Sequence, residues 1–538
     1  MGPSCVGRMK ARRFLAVVLA VILLLLGLAG GAWWLVWQRS PLQLQQRPLA
    51  PPRSARFVPR DAALSFYLLS DPEQPVAYAR AVAPPRQRRQ AAEAVARLRD
   101  GAFAAAGLDY AGELAGWLGP ETGLWVLADQ RGEPGGWVLA LSSRDSDGAR
   151  RFLQRFWQTR SLAGTELQIS SYRGMGVISG RGSLLGRQPI PLATALIDDD
   201  LVLLASGRGA LEQALDVSQI DALNQAADPV LRRRLDRLGR GIALLVARPD
   251  ALHAWLGGSP WPLPGEGLLA ALHPEGRELV LDGWLEPGPA LDPDHTPMPL
   301  AGADGQALLA ALHGEAAQLA LLQDPAQWPA QWQPLLRALL GPSGPTEAPS
   351  LPALLLAAAR GPVLWRQDGE GWLLGSNPDQ PAPSALAEPL QDMGLVASPL
   401  ELEGQPMQVW TRLEAPTALR RRPGAQGQLA VTLAAARSEQ AGWAWWSDSL
   451  EVLAQQQRGR QQPTALIHRL QDLALPQAVL QWAASGLPAQ DVLGRWTGWR
   501  LLAAMAGQDF SEPVGAVALA MQPDADGLRL RARIAYDK

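Results

Sequence analysis

The chain has 538 residues, of which 47% are hydrophobic and 19% are charged, and its formal net charge is −2. A chain of this size and composition buries sizeable cores, which excludes intrinsic disorder and a small disulfide-stapled fold. The near-zero charge gives no overall attraction to nucleic acid, so no nucleic-acid partner is expected. Cys5 is the only cysteine, and Lys10 and Lys538 are the only lysines. Thiol, Schiff-base and P-loop chemistry therefore lack their key residues.

The first predicted element is a transmembrane helix over residues 14–37, an uncharged apolar run long enough to cross a bilayer. Basic residues before it predict a cytoplasmic tail over residues 1–13 and place the rest of the chain outside the cytoplasm. The lipid bilayer is thus one expected partner, and cleavage of a signal peptide near Gly30 is the alternative. The expected membrane-interface residues are Arg12, Arg13, Trp33, Trp34 and Trp37.

Beyond a proline- and glutamine-rich segment, residues 38–55, which is predicted to form an extended stalk, the chain repeats itself weakly. Five pairs of similar segments occur in the same order, about 230–255 residues apart. They begin at Leu64 and Leu319, Leu118 and Ala359, Thr165 and Ser398, Ala193 and Val431, and Arg277 and Gly527. This order predicts an internal duplication, with a first repeat over residues 56–286, a linker over 287–307 and a second repeat over 308–538.

Apolar runs around Gly-rich turns predict hairpins in both repeats, interrupted by a few helices. The strongest predicted helix is Asp145–Arg160, where aromatic and leucine side chains recur at a spacing of four residues. The other predicted helices are Arg86–Ala105, Pro229–Leu238, Leu450–Gln457 and Thr464–Ala484. The predicted fold class is α+β: an N-terminal transmembrane helix followed by two related antiparallel-sheet-plus-helix halves.

Signatures of chemistry are scarce. The chain has no G-x-S-x-G, no P-loop and no dinucleotide-binding fingerprint in a strand-to-helix context. The five histidines stand in no metal-ligand spacing, so neither a metal nor a cofactor is expected. The acidic run 198–200 is interpreted as a hairpin turn in preference to a calcium site. Two arginine runs, within residues 86–89 and 232–240, are interpreted as solvated helix surfaces, with an acidic partner or lipid headgroup as the alternative.

The most distinctive candidate site is a tryptophan-rich strand. If the repeats are aligned, Trp443 and Trp445 replace Val202 and Leu204 on one strand face, and Trp446 lies on the other face. Two indoles on one face would line an apolar binding patch for a ligand, a partner or a bilayer. The alternative, which is favoured, is that tryptophan fills a larger gap in the core of the second repeat.

Four segments of the first repeat carry a resemblance to a known family. They are Phe57–Pro72, Gly107–Leu127, Gly174–Arg181 and Ala193–Gly207. Together they resemble the membrane-anchored cyanobacterial family known as domain of unknown function thirty-three fifty-two. The resemblance implies a single N-terminal anchor and a large domain in the periplasm or the thylakoid lumen. It implies no catalytic residues, because the family has no assigned activity.

The leading hypothesis is a non-enzymatic binding or scaffolding module for a protein complex of the envelope or the photosynthetic membrane. A carrier or sensor for an apolar ligand, lipid or pigment-like, in a tryptophan-lined pocket is the first alternative. A hydrolase that uses carboxylates is the second, because Asp and Glu are the remaining abundant catalytic residue types. No spacing in the sequence nominates such a pair of carboxylates, so no enzyme is expected.

Overall fold

The computed structural model shows one large antiparallel sheet with helices on both of its faces. All strand pairings in the described part of the chain are antiparallel, which matches the hairpin pattern of the sequence. The structure describes residues 40–128, 134–162, 166–182, 190–248, 267–285, 302–328, 333–340, 350–402, 404–414, 430–459, 463–524 and 527–536.

The first half of the sheet contains ten of the described strands. They are β1 (Leu64–Leu68), β2 (Leu118–Ala128), β3 (Pro134–Ser143), β4 (Gln168–Tyr172), β5 (Met175–Gly182), β6 (Ile190–Ile197), β7 (Leu201–Ala205), β8 (Ala243–Ala247), β9 (Leu268–Glu275) and β10 (Glu278–Leu285). Their hydrogen-bonding order is β4-β5-β6-β7-β3-β2-β1-β8-β9-β10. The last strand of this half along the chain, β10, therefore also lies at one edge of the half-sheet.

The second half repeats this arrangement with the next ten described strands. They are β11 (Gln318–Gln323), β12 (Pro362–Gln367), β13 (Trp372–Ser376), β14 (Leu395–Leu402), β15 (Gln405–Glu414), β16 (Ala430–Gln440), β17 (Trp443–Ser447), β18 (Leu480–Ser485), β19 (Ala516–Asp524) and β20 (Gly527–Ala535). Their order is β14-β15-β16-β17-β13-β12-β11-β18-β19-β20. The two halves join where β10 pairs with β20. Each of the five paired sequence segments occupies the same place in the strand order of its half.

Thirteen α-helices lie in the described part of the chain. They are α1 (Glu73–Val82), α2 (Arg88–Ala105), α3 (Ser146–Leu162), α4 (Arg208–Val217), α5 (Pro229–Leu238), α6 (Gly302–Ala310), α7 (Gln333–Leu340), α8 (Leu351–Ala358), α9 (Ala387–Asp392), α10 (Leu450–Arg458), α11 (Thr464–Gln471), α12 (Leu487–Arg495) and α13 (Thr497–Ala506). A π-helical turn covers Tyr110–Leu114, and 3-10 turns cover Pro41–Gln46, Arg53–Phe57, Asp221–Leu223, Gln225–Ala227 and Pro325–Gln327.

Helices cover both faces of the sheet and build separate cores there. On the front face, α4 and α5 pack on the first half, and α6, α10 and α11 pack on the second. On the back face, α2 and α3 cover the first half, and α7, α8, α9, α12 and α13 cover the second. The back-face core of the second half runs across the joint, because Leu281, Leu285, Leu528 and Leu530 belong to it together. On the front face the two cores stay apart.

A crossing of α2 over α13 forms a second contact between the halves, on the back face. The two helices approach so closely that a Cβ added at Gly101 would collide with the backbone carbonyl of Met505. Glycine permits such an approach because it has no side chain. The halves are therefore held together both by strand pairing and by helix packing.

The predicted fold class is correct in its α+β, antiparallel part and wrong in its transmembrane helix. In the described part of the chain no helix is both long and apolar enough to cross a membrane. The longest described helix, α2, has 18 residues and carries arginines along its length, so its polar face needs water. Residues 14–37, and the interface residues predicted around them, lie outside the described residues.

The segment predicted to form a stalk does not extend away from the body over residues 40–55. Leu44 and Leu49 are buried, and the backbone of Leu49 bonds to Gly239. Glu121 accepts hydrogen bonds from the backbone of Arg53 and Ser54. Leucines between the prolines supply apolar surface that is removed from water by docking, which the proline content alone did not reveal.

Two other element boundaries differ from the prediction. Helix α11 ends at Gln471, whereas a helix was predicted over Thr464–Ala484; the remainder turns at residues 472–479 and becomes strand β18. Short apolar runs carry no helical or strand period, which is why this strand was missed. The predicted linker, residues 287–307, lies mostly outside the described residues, and its last part begins α6.

Candidate functional site

The strongest concentration of buried charge lies on the front face of the joint between the halves. There, β10 and β20 place Asp282 directly opposite Arg531. These two positions are equivalent, because Asp282 pairs with Ala271 in the hairpin of the first half and Arg531 pairs with Ala520 in that of the second. Directly opposed residues project from the same face of a sheet. The seam denotes His273, Glu275, Glu278, Asp282, Trp284, Gln522, Asp524, Arg529, Arg531 and Arg533.

Asp282 is the centre of the seam and is only 7% exposed. Arg529 donates to its two oxygens at 3.3 and 3.0 Å, and Nη2 of Arg531 donates to Oδ2 at 2.5 Å. Burial by itself raises the pKa of Asp282, but the hydrogen bonds from the two arginines outweigh burial and hold the pKa below its ordinary value. The carboxyl group is therefore ionised at neutral pH.

At one end of the seam, two further carboxylates are each bound by two arginines. Glu278 accepts from Arg533 at 2.7 Å and from Arg469 of α11. Glu275 lies 3.2 Å from Arg533 and 3.5 Å from Arg240. Among the described residues, three guanidinium groups thus share these two carboxylates.

At the other end, the indole of Trp284 lies between two guanidinium groups. The ring centroid is 4.9 Å from the guanidinium carbon of Arg237 and 5.5 Å from that of Arg529. The indole N–H donates to Asp524 at 3.1 Å, and Asp524 also pairs with Arg237. Contact with the face of the ring helps to hold both cations in place.

His273 is a buried polar residue without a hydrogen-bond partner in the described part of the chain. It is 4% exposed, both ring nitrogens are unsatisfied, and Nε2 lies 4.0 Å from Glu275. Burial, helped by the nearby charges of Arg240 and Arg531, lowers the pKa of His273 to about 4, so the ring is neutral at pH 7. Its equivalent in the second half is Gln522, whose side-chain oxygen is also buried without a partner.

A cavity of about 410 Å³ opens beside the charged end of the seam. The β9–β10 turn, Glu275–Glu278, forms one wall, and Arg469 and Asp472 at the end of α11 form another. Arg533 and Ala535 complete its lining. The side chain of Arg277, in the turn, makes no ion pair with the described residues. The cavity thus combines bound carboxylates with an available guanidinium group.

A larger cavity, about 740 Å³, lies under the N-terminal segment, between residues 40–51 and the residues around Gln74 and Pro120. Its walls are mainly proline, glutamine and leucine. The carboxylate of Glu121, which also lines it, already accepts from Ser54 and the backbone of Arg53. This cavity offers fewer groups for recognition than the cavity at the seam, although it is larger.

Residues 17–481 match the family described as "Protein of unknown function (DUF3352)". The chain belongs to the DUF3352 family. This confirms the resemblance seen in the sequence, while a cyanobacterial origin stays a prediction. No curated protein matches the chain.

Three crystal structures of the protein TP0453 resemble part of this DUF3352 chain. Forms IV, I and III share 9, 10 and 11% identity with it, with TM-scores of 0.24, 0.25 and 0.26. The likeness covers 46, 45 and 50% of this chain and 82, 80 and 89% of TP0453, respectively. At these TM-scores the likeness supports no conclusion about fold or function.

The tryptophans predicted as a binding patch lie in the cores of the DUF3352 chain. Trp445 is 1% exposed in the front-face core, and Trp443 packs at the edge of that core. Trp446 is fully buried in the back-face core and stacks on Trp410, with ring centroids 4.7 Å apart. None of the three lines either of the two cavities described above. Their positions fit the favoured interpretation, in which tryptophan fills the core.

The alignment behind that prediction was wrong by one residue. In the first half β3 and β7 pair Ala140 with Leu203, and in the second half β13 and β17 pair Gly375 with Trp445. Ala140 and Gly375 occupy the same position in the two halves, three residues after Trp137 and Trp372 respectively. Trp445 is therefore equivalent to Leu203, not to Leu204. A slip of one residue transfers a strand position to the opposite face of the sheet.

The other sequence candidates have structural roles in the described part of the chain. Residues 198–200 form the β6–β7 turn, where Asp200 pairs with Arg53 at 2.8 Å, and no described group of acidic, histidine or cysteine side chains is suited to a metal. Of the arginine run on α5, Arg234 is buried and Arg237 belongs to the seam network. Sequence reasoning missed the seam itself, although the alternating arginines of β20 were a usable signal.

Proposed function

We propose that this DUF3352 chain is a non-enzymatic binding module whose partner is held at the seam and in the adjoining cavity. The observation that carries the proposal is the position of the charge. Ion pairs occur on other surfaces of the described chain, but a connected group of partly buried ones lies at the joint of the two halves, where the front-face cores separate. A joint between two halves is a common place for a binding site.

The ionisation of the seam supports binding over hydrolysis. A carboxyl group that acts as a general acid needs a pKa raised toward neutrality. Asp282 has the opposite shift, because Arg529 and Arg531 stabilise its ionised form. The carboxylates of the seam thus serve to hold arginines in fixed positions, and fixed arginines are recognition groups.

The binding module is proposed to act in a protein complex outside the cytoplasm, as the family resemblance implies. The location rests on the sequence alone and has its own test. An external protease added to intact cells after permeabilisation of the outer envelope should cleave the chain. Cleavage that begins on lysis of the cytoplasmic compartment, while internal membranes are still closed, would contradict the location; cleavage that requires those membranes to be opened would fit the thylakoid lumen.

Native mass spectrometry of the full-length protein, purified gently from its source cells, tests the binding function. We expect a stoichiometric bound component that is lost in Arg277→Glu, which reverses the available charge in the cavity. Arg155→Gln is the matched control, because Arg155 is exposed on α3 at the back face. A component that Arg277→Glu retains as well as the control does, or the absence of any bound component from the wild type, would contradict the proposal.

A further inference from the structure

We propose that the seam cavity binds a phosphate-class oxyanion. This assignment rests on the proposed function, since it names the ligand chemistry of the same site. It begins from an imbalance of charge. Arg533 bridges Glu275 and Glu278, and each of these carboxylates also has an arginine of its own, Arg240 and Arg469 respectively. Three guanidinium groups thus share two carboxylates in a partly desolvated setting.

Arg277 adds a further positive charge at the cavity wall. It is half-buried in the β9–β10 turn, and its side chain forms no ion pair with the described residues. The remaining acid at the cavity, Asp472, lies at the exposed rim, and its backbone carbonyl accepts from Arg533. Guanidinium groups bind phosphate oxygens in a bidentate manner, so several of them around one cavity favour an oxyanion.

Unsatisfied buried groups in the seam point to the same conclusion. Neither ring nitrogen of His273 has a described partner, and Nε of Arg531 is buried without one. Buried polar atoms normally have partners, so orphaned ones indicate a bound group or water that completes the site. His273 does not itself line the cavity, but its Nε2 lies 4.0 Å from Glu275, which does.

The size of the cavity fits a small anion together with part of the molecule that carries it. Its volume is about 410 Å³, within the usual range of small-molecule sites. Free phosphate and the phosphate of an anionic lipid headgroup share the chemistry that these arginines recognise. Titration with inorganic phosphate and sedimentation with vesicles distinguish these two sources.

Calorimetric titration of the full-length protein with inorganic phosphate is the first arm, with chloride at matched ionic strength as the reference. We expect saturable binding, and a loss of affinity of about tenfold in Arg277→Gln, which removes one charge-assisted contact. Arg277 makes no ion pair, so this variant should fold as the wild type does. Arg155→Gln, which removes an exposed arginine from the opposite face, should bind phosphate unchanged.

Histidine-selective NMR gives a second readout. The chain has five histidines, and the signal of His273 is identified by its absence in His273→Gln. Phosphate, but not chloride, should shift the His273 ring signals, because a nearby anion stabilises the charged imidazolium. An unchanged His273 signal at saturating phosphate would place the anion elsewhere and overturn the assignment.

Vesicles form the last arm. Sedimentation with vesicles that contain phosphatidylglycerol, but not with vesicles of phosphatidylcholine alone, would identify a lipid headgroup as the source, if it depends on Arg277. Binding of free phosphate without such sedimentation would identify a soluble ligand. Binding to neither overturns the oxyanion. If a bound component in native mass spectra still depended on Arg277, the binding function would stand with a different ligand chemistry.

Discussion

The last strand of each half has the same place in the fold but carries the opposite charge. On the front face of β10 lie Glu278 and Asp282, and on that of β20 lie the three alternating arginines 529, 531 and 533. Because Asp282 and Arg531 are equivalent positions that face each other, two identical halves would bring like charges together here. Divergence of one strand to acidic and of the other to basic side chains makes the pairing of unlike halves favourable.

The back face of the same two strands shows no such divergence. Leu281 of β10 and Leu530 of β20 are equivalent, and both belong to the core that crosses the joint. Apolar contacts stabilise the pairing of any two similar strand edges. Charged side chains favour a partner strand of opposite charge and disfavour one of the same charge. The apolar back face therefore stabilises the contact between the halves, and the charges of the seam determine which strand edges pair.

Asp282→Arg is the change with the largest expected effect on this selectivity. It removes the shared acceptor and adds a cation beside Arg529 and Arg531. Removing one partner of a buried ion pair typically costs about 3–5 kcal/mol, and we expect a loss of that order in the first unfolding transition. Urea unfolding followed by circular dichroism measures the loss.

Exchange of the pair provides the control. Asp282→Arg combined with Arg531→Asp restores opposite charges across the joint, and the double variant should recover more than half of the lost stability. Asp282→Asn, which keeps the shape and removes the charge, should lie between the wild type and Asp282→Arg. No recovery in the double variant would mean that charge does not select the pairing.

The tryptophan-rich strand offers a comparison of the two cores. Leu203 faces Ala140 in the first half, whereas Trp445 faces Gly375 in the second, and a Cβ at Gly375 would lie 2.5 Å from the indole ring. Gly375→Ala should therefore destabilise the protein by about 1–3 kcal/mol through overpacking. Thermal unfolding followed by near-ultraviolet circular dichroism measures this, since it reports on the tryptophans.

Restoring the pair of the first half sharpens the result. Gly375→Ala combined with Trp445→Leu should be more stable than Trp445→Leu alone, because the added methyl group fills part of the cavity that the indole leaves. If the double variant were less stable than Trp445→Leu alone, the size of the Trp445 ring would not explain why residue 375 is a glycine.

The crossing of α2 and α13 tests adhesion on the back face. Gly101→Ala relieves the cost of glycine in a helix, about 1 kcal/mol, but drives a methyl group into the carbonyl of Met505. We expect a net loss of about 1–2 kcal/mol in urea unfolding. Gly494→Ala in α12 is the matched control, because no atom lies within 4 Å of the added Cβ; it should be neutral or stabilising. Equal effects of the two changes would refute a tight crossing.

Local signals were sufficient for several elements. Helix α5 was predicted with its bounds, because Pro229 follows the capping residue Asp228 and Gly239 ends the helix. Hairpins were predicted where turn residues separate apolar runs, as at the aspartates of the β6–β7 turn. In both cases the information lies within about ten residues of the element.

The seam was not predictable by the same means. Arg531 and Asp282 are 249 positions apart, and nothing local indicates that their strands pair. The alternation of arginines on β20 signals a polar strand face, but not whether that face is exposed or meets acidic residues. The tryptophans of β17, the most conspicuous local signal, are core residues. An unusual local composition was thus a poor guide to the candidate site. The sequence did not indicate that β20 pairs with β10, and the site depends on that pairing.

The smallest expected effect at pH 7 concerns the two buried polar positions that flank the joint. His273→Gln gives the first half the residue that Gln522 supplies in the second. A histidine in the unfolded chain has a pKa of about 6.5, whereas burial lowers that of His273 to about 4. Between these values the unfolded chain holds a proton that the folded chain does not, so stability decreases as the pH falls from about 7 to about 4.

In His273→Gln this part of the pH dependence is absent. At pH 7 the variant should match the wild type within about 1 kcal/mol, and at pH 5 it should be the more stable by about 1–2 kcal/mol. Urea unfolding at both values measures the difference. His468→Gln, at an exposed position of α11, should keep the slope of the wild type. Asp282 does not interfere with the comparison between pH 5 and pH 7. Its pKa is lowered in the fold, so the stability that it contributes is lost only below about pH 4. A slope that survives in His273→Gln would show that the pH dependence comes from other groups and that burial does not lower the pKa of His273.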